Sequence, residues 1–469
     1  GWGDVQVLLV LARSLAALEA GSDDSPHLQV MLQLATELGD PIVRALVLAR
    51  IAYRRTTQRK SVSGGPSAMT PLVEAIALLD SDGGVPAYRV SAHGLVAVAL
   101  EELALWELAD EHRLTISDLL SPEQTKAWAT TARVQRRVND YKRFHTALDW
   151  ASAYALLGDW AAAQRVAANA LLTQTDRVVT DWPDVWAADY AAIRILLTAV
   201  AGLPEIRSDV PAVDALGLAI RASRAGDDAT ASALAGISVD QLGEQIPENT
   251  RLWCLSMTAR QPGTLPASIR YSDELVARRW HDRLDRLDDM RDVIAVECRR
   301  YENDRQRRQA LVDDLTGLRN RRGYHQYIDS VEPAAGGYAV MMVNVDHFKQ
   351  VNDTFGHDVG DVVLAKVGEI LSRHVRSNDL AARLGDDEFV VILAKVSADV
   401  ATDRAATIVN AVRNYPWTDV ANGLQVSISL GVHHGDSHLP ALLTDADRDR
   451  YQAKEPRRDR VVVSSASIE

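Results

Sequence analysis

The pattern of apolar residues changes near residue 313, and this change constrains the fold more than any other feature of the sequence. Residues 1 to about 265 are rich in alanine and leucine at helical spacing, with breaks at short Gly, Asp and Pro clusters. That pattern predicts an all-helical region. After residue 313, strand-like runs alternate with helical patterns. The chain of 469 residues is therefore expected to form a multidomain protein of roughly three units at about 150 residues each.

The region 313–469 is predicted to be an α/β domain. Four runs are typical of strands: Tyr338–Val345, Phe389–Leu393, Gln425–Val432 and Arg460–Val463. Helical patterns lie between them at 361–375, 397–413 and 439–454. The first run is apolar enough for a strand that is covered on both faces. This alternation predicts a central sheet flanked by helices.

Small residues and Gly-Asp turns recur in the helical region. One copy comprises Ala147, Ala151, Tyr154, Gly158-Asp159-Trp160, Ala163, Ala167 and Ala170. A second comprises Ala219, Ala222, Gly226-Asp227, Ala231 and Ala235, and a looser one Ala97, Leu100, Leu105-Trp106 and Ala109. These segments resemble tetratricopeptide repeats, whose period is roughly 34 residues. The resemblance implies that residues 1–265 form a helical-repeat domain that senses a signal or binds an unidentified protein partner. An irregular alanine-rich bundle is the alternative.

The segment 266–312 is dominated by charged residues and carries an apolar stripe. Its stripe repeats every seven residues at Trp280, Leu287, Ile294 and Tyr301. This spacing predicts a signalling helix with a coiled-coil-like dimer seam. A single helix packed on its own domain is the alternative.

The composition of the chain limits which cellular compartment and which classes of binding partner we expect. The net charge of −13 argues against nucleic acid as a partner. Two cysteines, Cys254 and Cys298, are too few for a disulfide framework. No run approaches the roughly 18 uninterrupted apolar residues of a membrane segment. We therefore expect a cytoplasmic protein with no membrane segment.

Acidic and basic residues gather around the predicted strand ends. Asn344-Val345-Asp346 closes the first strand, and Gly385-Asp386-Asp387-Glu388 lies in the hairpin turn of the next pair. Carboxylates at strand ends, completed by substrate phosphates, suit Mg²⁺. Lys349, Lys454 and Arg458 are suited to triphosphate oxygens. An amide and a carboxylate, Asn352 and Asp361, together match the hydrogen-bonding edge of guanine.

At these residues the sequence resembles the GGDEF family of diguanylate cyclases. The resemblance covers about a third of the chain, residues 313 to 465, and its order and spacing match throughout. It is carried by six blocks: DDLTGLRNRR from Asp313, NVDHFK from Asn344, NDTFGHDVGD from Asn352, RLGDDEF from Arg383, SISLGV from Ser427 and YQAK from Tyr451.

The resemblance implies a reaction between two GTP molecules held by two such domains in a homodimer. Each 3′-hydroxyl attacks the α-phosphate of the other GTP, which gives cyclic di-GMP and pyrophosphate. The family pattern implies these roles: Asn344, the Val345 carbonyl and Asp387 hold Mg²⁺ or Mn²⁺; Asp387, Glu388 and Lys349 are catalytic; His347, Phe348, Lys349, Lys454 and Arg458 bind phosphates; Asn352 and Asp361 select guanine.

Two positions depart from the family pattern. Asn344 stands where the family has an aspartate that binds the metal, and Asp386 stands where the signature has its second glycine. A neutral amide is a weaker Mg²⁺ ligand than a carboxylate. An aspartate adds charge and a Cβ where glycine permits positive φ. We therefore expect guanine-nucleotide binding with weak or absent cyclase activity. An active cyclase, in which Asp386 compensates for Asn344, and a helical-repeat interaction scaffold are the alternatives.

A second nucleotide site is predicted upstream of the signature. The motif Arg376-Ser377-Asn378-Asp379 occupies the position where many relatives carry the RxxD inhibitory site for cyclic di-GMP. Arginine offers a planar fork to phosphate or guanine, and aspartate accepts hydrogen bonds from guanine. We expect Arg376 and Asp379 to bind product, with an ordinary helix-end ion pair as the alternative.

Overall fold

The computed structural model describes two compact units, residues 1–301 and 302–469. The described residues are 2–59, 68–81, 83–121, 125, 129–172, 184–261, 263–331, 337–376, 378–435, 439, 442 and 461–465. None of the helices in these ranges combines the length and apolar character that a membrane span requires.

The first unit is helical throughout its described residues. Its helices are α1 (Trp2–Glu19), α2 (Ser25–Leu38), α3 (Pro41–Arg59), α4 (Met69–Leu79), α5 (Pro86–Glu102), α6 (Trp106–Leu119), α7 (Ala129–Leu156), α8 (Trp160–Leu172), α9 (Asp184–Ala201), α10 (Pro211–Ala225), α11 (Asp228–Leu242) and α12 (Glu248–Ala259). Helix α13 (Pro266–Gln309) begins in this unit and ends in the second. The prediction of a mostly helical N-terminal region is confirmed, and its repeat character stays a prediction.

The two Gly-Asp turns have the same local structure. Gly158 and Gly226 both have a φ of 79°, the left-handed conformation that ends many helices. The aspartate that follows each glycine begins the next helix. Asp159 accepts a hydrogen bond from the Ala162 amide at 3.0 Å, and Asp227 caps α11 in the same way through Thr230 at 3.1 Å. A turn glycine and a capping aspartate therefore explain why these dipeptides join helices.

Helix α13 is 44 residues long, and its apolar stripe packs on the first unit. Leu287 and Met290 are buried in a core that α3, α4 and α5 also build, and Ile294 and Tyr301 pack against that core. The ring of Trp280 lies 4.8 Å from that of Tyr154. The seven-residue stripe thus packs within the chain, as expected for a helix packed on its own domain, and the dimer seam stays a prediction.

The second unit contains a five-stranded sheet with strand order β2-β3-β1-β4-β5. The strands are β1 (Tyr338–Val345), β2 (Leu380–Arg383), β3 (Glu388–Ala394), β4 (Ile428–Gly435) and β5 (Val461–Ser465), and the helices are α14 (Arg321–Ser330), α15 (Phe348–Phe355), α16 (His357–Arg373) and α17 (Ala398–Arg413). Strands β1 to β4 pair antiparallel, whereas β5 runs parallel to β4.

The strand predictions agree best where the apolar run is longest. Strand β1 has the predicted bounds, and β3 exceeds its prediction by one residue at each end. The predicted run from Gln425 forms a strand only from Ile428. Strand β2 and the short helices α14 and α15 were not predicted as elements. The predicted helix 439–454 and Arg460 fall almost entirely outside the described residues.

Candidate functional site

The end of β1 lies beside the start of β3, which follows the acidic turn. In the antiparallel register Asn344 faces Glu388 on one side and Ser429 of β4 on the other. The Val345 amide donates to the Asp387 carbonyl at 3.1 Å. Facing residues in such a ladder have Cβ atoms roughly 5 Å apart. The sheet therefore brings Asn344 close to Asp387 and Glu388 of the signature at one end of the central strand.

Arg383, the last residue of β2, fastens the signature turn. Its Nε donates to the Gly385 carbonyl at 3.1 Å, and its Nη2 donates to the Asp386 carbonyl at 2.9 Å. Its Nη1 contacts the Asp313 carboxylate at 3.2 Å. Asp313 also accepts from the amide and hydroxyl of Thr316. The sequence quoted Arg383 and Asp313 only as parts of motifs, and nothing in the pattern indicated that the two residues meet.

Asp386 does not have a positive φ. The non-glycine residues with positive φ in the described chain are Ala104, His347 and Lys395. The part of the expectation that rests on positive φ therefore does not apply to Asp386. The side chain of Asp386 is exposed. The added Cβ and the negative charge remain as the expected penalties.

A buried carboxylate just beyond β1 was not predicted as a site residue. Asp346 is 9% exposed and accepts hydrogen bonds from the hydroxyls of Ser427 at 2.7 Å and Ser429 at 2.6 Å. Its own amide donates to the Ser427 carbonyl at 2.9 Å. The alternation of the two serines in SISLGV was the available signal, because residues two apart in a strand share a face. Asp346 thereby fixes the chain as it leaves β1.

The turn after Asp346 begins helix α15. His347 has a φ of 56° and occupies the N-cap position of that helix. Phe348 is buried and Lys349 is exposed, so their side chains point in different directions. The first amides of a helix lack intrahelical acceptors and attract anions. The chain therefore presents an exposed lysine and the first turn of a helix within a few residues of Asn344.

The amide of Asn352 is buried without a complete set of partners. Its Oδ1 accepts no hydrogen bond in the described part of the chain. It lies against Gly360, where an added Cβ would approach that oxygen to 1.9 Å. Asp361 follows Gly360 directly and is exposed. The packing of α15 on α16 thus brings the two predicted guanine-reading residues to neighbouring positions.

The Asp379 side chain of the RxxD segment accepts hydrogen bonds from two backbone amides, one in the segment and one in β3. Asp379 accepts from the Arg376 amide at 2.9 Å through Oδ2 and from the Ala394 amide at 3.1 Å through Oδ1. The Arg376 side chain is exposed and forms no ion pair with any described residue. The alternative of an ordinary ion pair between Arg376 and Asp379 is therefore not what the structure contains.

Lys454 and Arg458 lie outside the described residues. Within the described ranges, no group of three or more His, Cys, Asp or Glu side chains is arranged to hold a metal ion. A divalent cation bound near Asn344 would consequently need amide, backbone and phosphate oxygens beside the carboxylates, which is the mixture that Mg²⁺ commonly accepts.

Comparisons with known proteins agree with the motifs. Residues 310–460 match the profile of the family described as "Diguanylate cyclase, GGDEF domain". The response regulator PleD of Caulobacter vibrioides is 42% identical over 167 residues, which is 34% of this chain and 37% of PleD. Diguanylate cyclase DgcP of Pseudomonas aeruginosa is 32% identical over 165 residues, which is 34% of this chain and 25% of DgcP. The chain thus spans well under half the length of these relatives.

A solved structure also resembles part of the chain. The coiled coil and GGDEF domain of DgcB from Caulobacter crescentus, in complex with c-di-GMP, is 26% identical, with a TM-score of 0.34. The match covers 38% of this chain and 98% of that structure. The family profile and the sequence relatives identify residues 310–460 of this chain as a GGDEF domain.

Proposed function

We propose that the GGDEF domain binds guanine nucleotides, GTP and cyclic di-GMP, as part of cyclic di-GMP signalling, and that its cyclase activity is weak or absent. One observation carries this proposal. The sheet register brings Asn344, and not a carboxylate, opposite Glu388 and next to Asp387. The likeness to proteins named diguanylate cyclases supports the nucleotide class.

The nucleotide would be held at both of its ends. The exposed carboxylate of Asp361 would accept from the N1 and N2 hydrogens of guanine, and the amide of Asn352 would complete the recognition of that edge. Lys349 and the first amides of α15, from His347 and Phe348, would contact the phosphates. Lys454 and Arg458 would add positive charge from the C-terminal segment.

The donor set fits magnesium or manganese. Asn344, the Val345 carbonyl and Asp387 would hold the ion, with Glu388 beside them. When bound, the ion would offset the charge of the triphosphate and raise the acidity of the attacking 3′-hydroxyl. The residues of this chain would orient the triphosphate, but the neutral Asn344 amide removes one negative charge from the site. The negative Asp386 would repel the triphosphate. Both changes lower the expected rate.

Arg376 would bind product beside the active site. Its exposed guanidinium makes no ion pair with the described residues, and Asp379 already accepts two backbone amides. A carboxylate offers about four acceptor positions, so Asp379 retains capacity for guanine. Ring closure also requires two GTP-bound domains, so we propose a homodimer. The helical unit and α13 would regulate it.

The cyclase assay tests the central claim. The full chain is incubated with GTP and Mg²⁺ or Mn²⁺, and cyclic di-GMP is measured by chromatography. We expect little product from the natural sequence and more from the double variant Asn344→Asp, Asp386→Gly. Asp387→Ala is the control that should abolish any gain. Substantial turnover by the natural sequence that is lost in Asp387→Ala would show an active cyclase and overturn the proposal.

Calorimetry tests binding separately from turnover. We expect Asn352→Ala to weaken GTP binding by about tenfold, the usual result of losing hydrogen bonds to a buried base. Arg376→Ala should weaken cyclic di-GMP binding while leaving GTP binding unchanged. If neither nucleotide binds at micromolar concentration, nucleotide recognition is refuted and the interaction scaffold becomes the better interpretation.

A further inference from the structure

The first unit contains a cavity of about 270 Å³ between α7, α12 and α13. Its walls are mainly apolar and include Leu156, Leu252, Leu255 and Val276. Leu255 is 47% exposed, so the cavity is open to ligand along α12. The volume lies just below the usual range for small-molecule sites, about 300–1,000 Å³. Such a cavity is suited to a short apolar chain.

The charged side chains that line the cavity all have the same sign. Three arginines line it, Arg279, Arg283 and Arg286, and the described lining includes no aspartate or glutamate. Apolar walls with convergent polar groups are the usual composition of a small-molecule site. The formal charges on the described lining residues are therefore all positive.

The most buried of the three arginines, Arg283, already has its positive charge compensated by an ion pair with Glu107. Arg283 is buried between the rings of Trp106 and Trp280, with its guanidinium carbon 4.6 and 4.5 Å from their centres. It donates through Nε to the Ala104 carbonyl at 2.8 Å and pairs with Glu107. Stacking of this kind favours a delocalised cation. Arg283 therefore forms a fixed wall of the cavity.

The other two arginines retain their capacity to bind an anion. Arg279 and Arg286 are exposed, two helical turns apart on α13. Arg279 lies 3.9 Å from Glu248, and both side chains are about 60% exposed, so that pair contributes little. Arg286 has no hydrogen bond or ion pair with any described residue. Two weakly engaged guanidinium groups thus border an apolar cavity.

We propose that this cavity binds a small amphipathic carboxylate, with its aliphatic chain against the leucines and its carboxylate held by Arg279 and Arg286. Guanidinium forks match carboxylates in geometry and charge. A purely apolar molecule would leave both arginines unused, and an inorganic anion would leave the apolar walls uncovered. The inference goes beyond nucleotide binding by the GGDEF domain and does not rest on it.

Decanoate is the probe for the test, titrated into the full chain below its micelle concentration and followed by calorimetry. We expect saturable binding with one site per chain. 1-Decanol, the uncharged analogue of equal length, should bind about tenfold more weakly, because the charge-assisted hydrogen bonds are lost. The double variant Arg279→Gln, Arg286→Gln should show the same loss. Arg278→Gln, an exposed arginine outside the cavity, is the matched control and should bind as the natural chain does.

A second variant tests the location of the apolar chain. Leu255→Trp should fill the cavity and abolish decanoate binding, whereas Ile237→Trp, at a 50% exposed position on α11 outside the cavity, should not. Hydrogen exchange of α13 should slow around Val276 when decanoate is bound. Equal affinity for decanoate and decanol, full binding by the double arginine variant, or full binding by Leu255→Trp would each overturn the proposal.

Discussion

Replacing Arg383 by glutamine should loosen the signature turn without disturbing the core of the sheet. The guanidinium joins three points: the Gly385 carbonyl at 3.1 Å, the Asp386 carbonyl at 2.9 Å and the Asp313 carboxylate at 3.2 Å. Glutamine is too short and has one amide group in place of the fork, so at most one of these contacts survives. The turn would then depend on the two hydrogen bonds that the Glu388 carbonyl accepts from Leu384 and Gly385.

The magnitude follows from the three contacts. Each of the two carbonyl contacts contributes about 0.5–1.5 kcal/mol, and a bond between charged partners about 1.5–3 kcal/mol when it is shielded. Arg383 and Asp313 are 16% and 23% exposed at their side chains, so solvent weakens the pair. We therefore expect the free energy of unfolding of the second unit to fall by about 2–3 kcal/mol.

Urea denaturation of the full chain gives the magnitude, and hydrogen exchange shows its location. Exchange should accelerate most at residues 383–388. Arg373→Gln is the control, because Arg373 pairs with Glu369 at an exposed helix surface and its loss should change stability by less than about 0.5 kcal/mol. A loss of under 0.5 kcal/mol in Arg383→Gln, with unchanged exchange at the turn, would refute the reasoning.

The same pair predicts a pH dependence. Burial raises the pKa of Asp313, but the hydrogen bonds from Thr316 and the charge of Arg383 outweigh burial, so the pKa lies below its usual value. A carboxylate with a lowered pKa in the folded state stabilises the protein above the unfolded pKa, near 4, and that contribution is lost as the pH falls through the folded pKa. Asp313→Asn should therefore be destabilising at pH 7, and the difference from the natural chain should shrink below about pH 4.

Three further variants test other features. Ala104→Gly should stabilise the first unit by about 1 kcal/mol in urea denaturation, because Ala104 has a φ of 59° and glycine adopts that conformation without strain; an unchanged midpoint would contradict this. Gly360→Ala should displace Asn352, destabilise the second unit by about 1–3 kcal/mol and weaken GTP binding, whereas Gly431→Ala, with open space around it, should be near neutral; equal effects would contradict the close contact. Met290→Ala should cost about 2–5 kcal/mol at every protein concentration, because Met290 is fully buried within the chain; a concentration-dependent loss would indicate a dimer seam instead.

Local patterns predicted the elements that depend on few neighbours. The apolar run of β1 and the Gly-Asp turns gave correct positions because a buried strand and a left-handed glycine are determined by adjacent residues. The seven-residue stripe was ambiguous for a physical reason. The same periodicity buries Leu287 and Met290 whether the partner is another copy or the same chain, and sequence spacing does not identify the partner.

The site was predictable at the level of motifs but not of contacts. The motifs placed Asn344 and Asp387 at neighbouring strand ends, and the sheet register agrees. The contact between Arg383 and Asp313 joins residues that are far apart in sequence, and no periodicity encodes it. Strand β2 was not predicted because it has four residues, too few for a period-two pattern to emerge. The sequence thus identified the motif residues of the candidate site, whereas tertiary packing determined which other side chains hold those residues in position.

The route from α13 to the signature turn is a continuous set of hydrogen bonds. Beyond the end of α13 at Gln309, the Asn320 side chain donates to the carbonyls of Ala310 and Val312. The Arg319 amide then donates to the carbonyl of Ala381 in β2, and the Arg319 carbonyl accepts from the amide of Arg383 in the same strand. Because β2 leads directly into the turn that the Arg383 side chain holds, we expect a shift of the helix end to reach that turn through these hydrogen-bonded residues. We therefore expect Arg383→Gln to weaken any effect of the helical unit on the nucleotide site more than it weakens nucleotide binding itself.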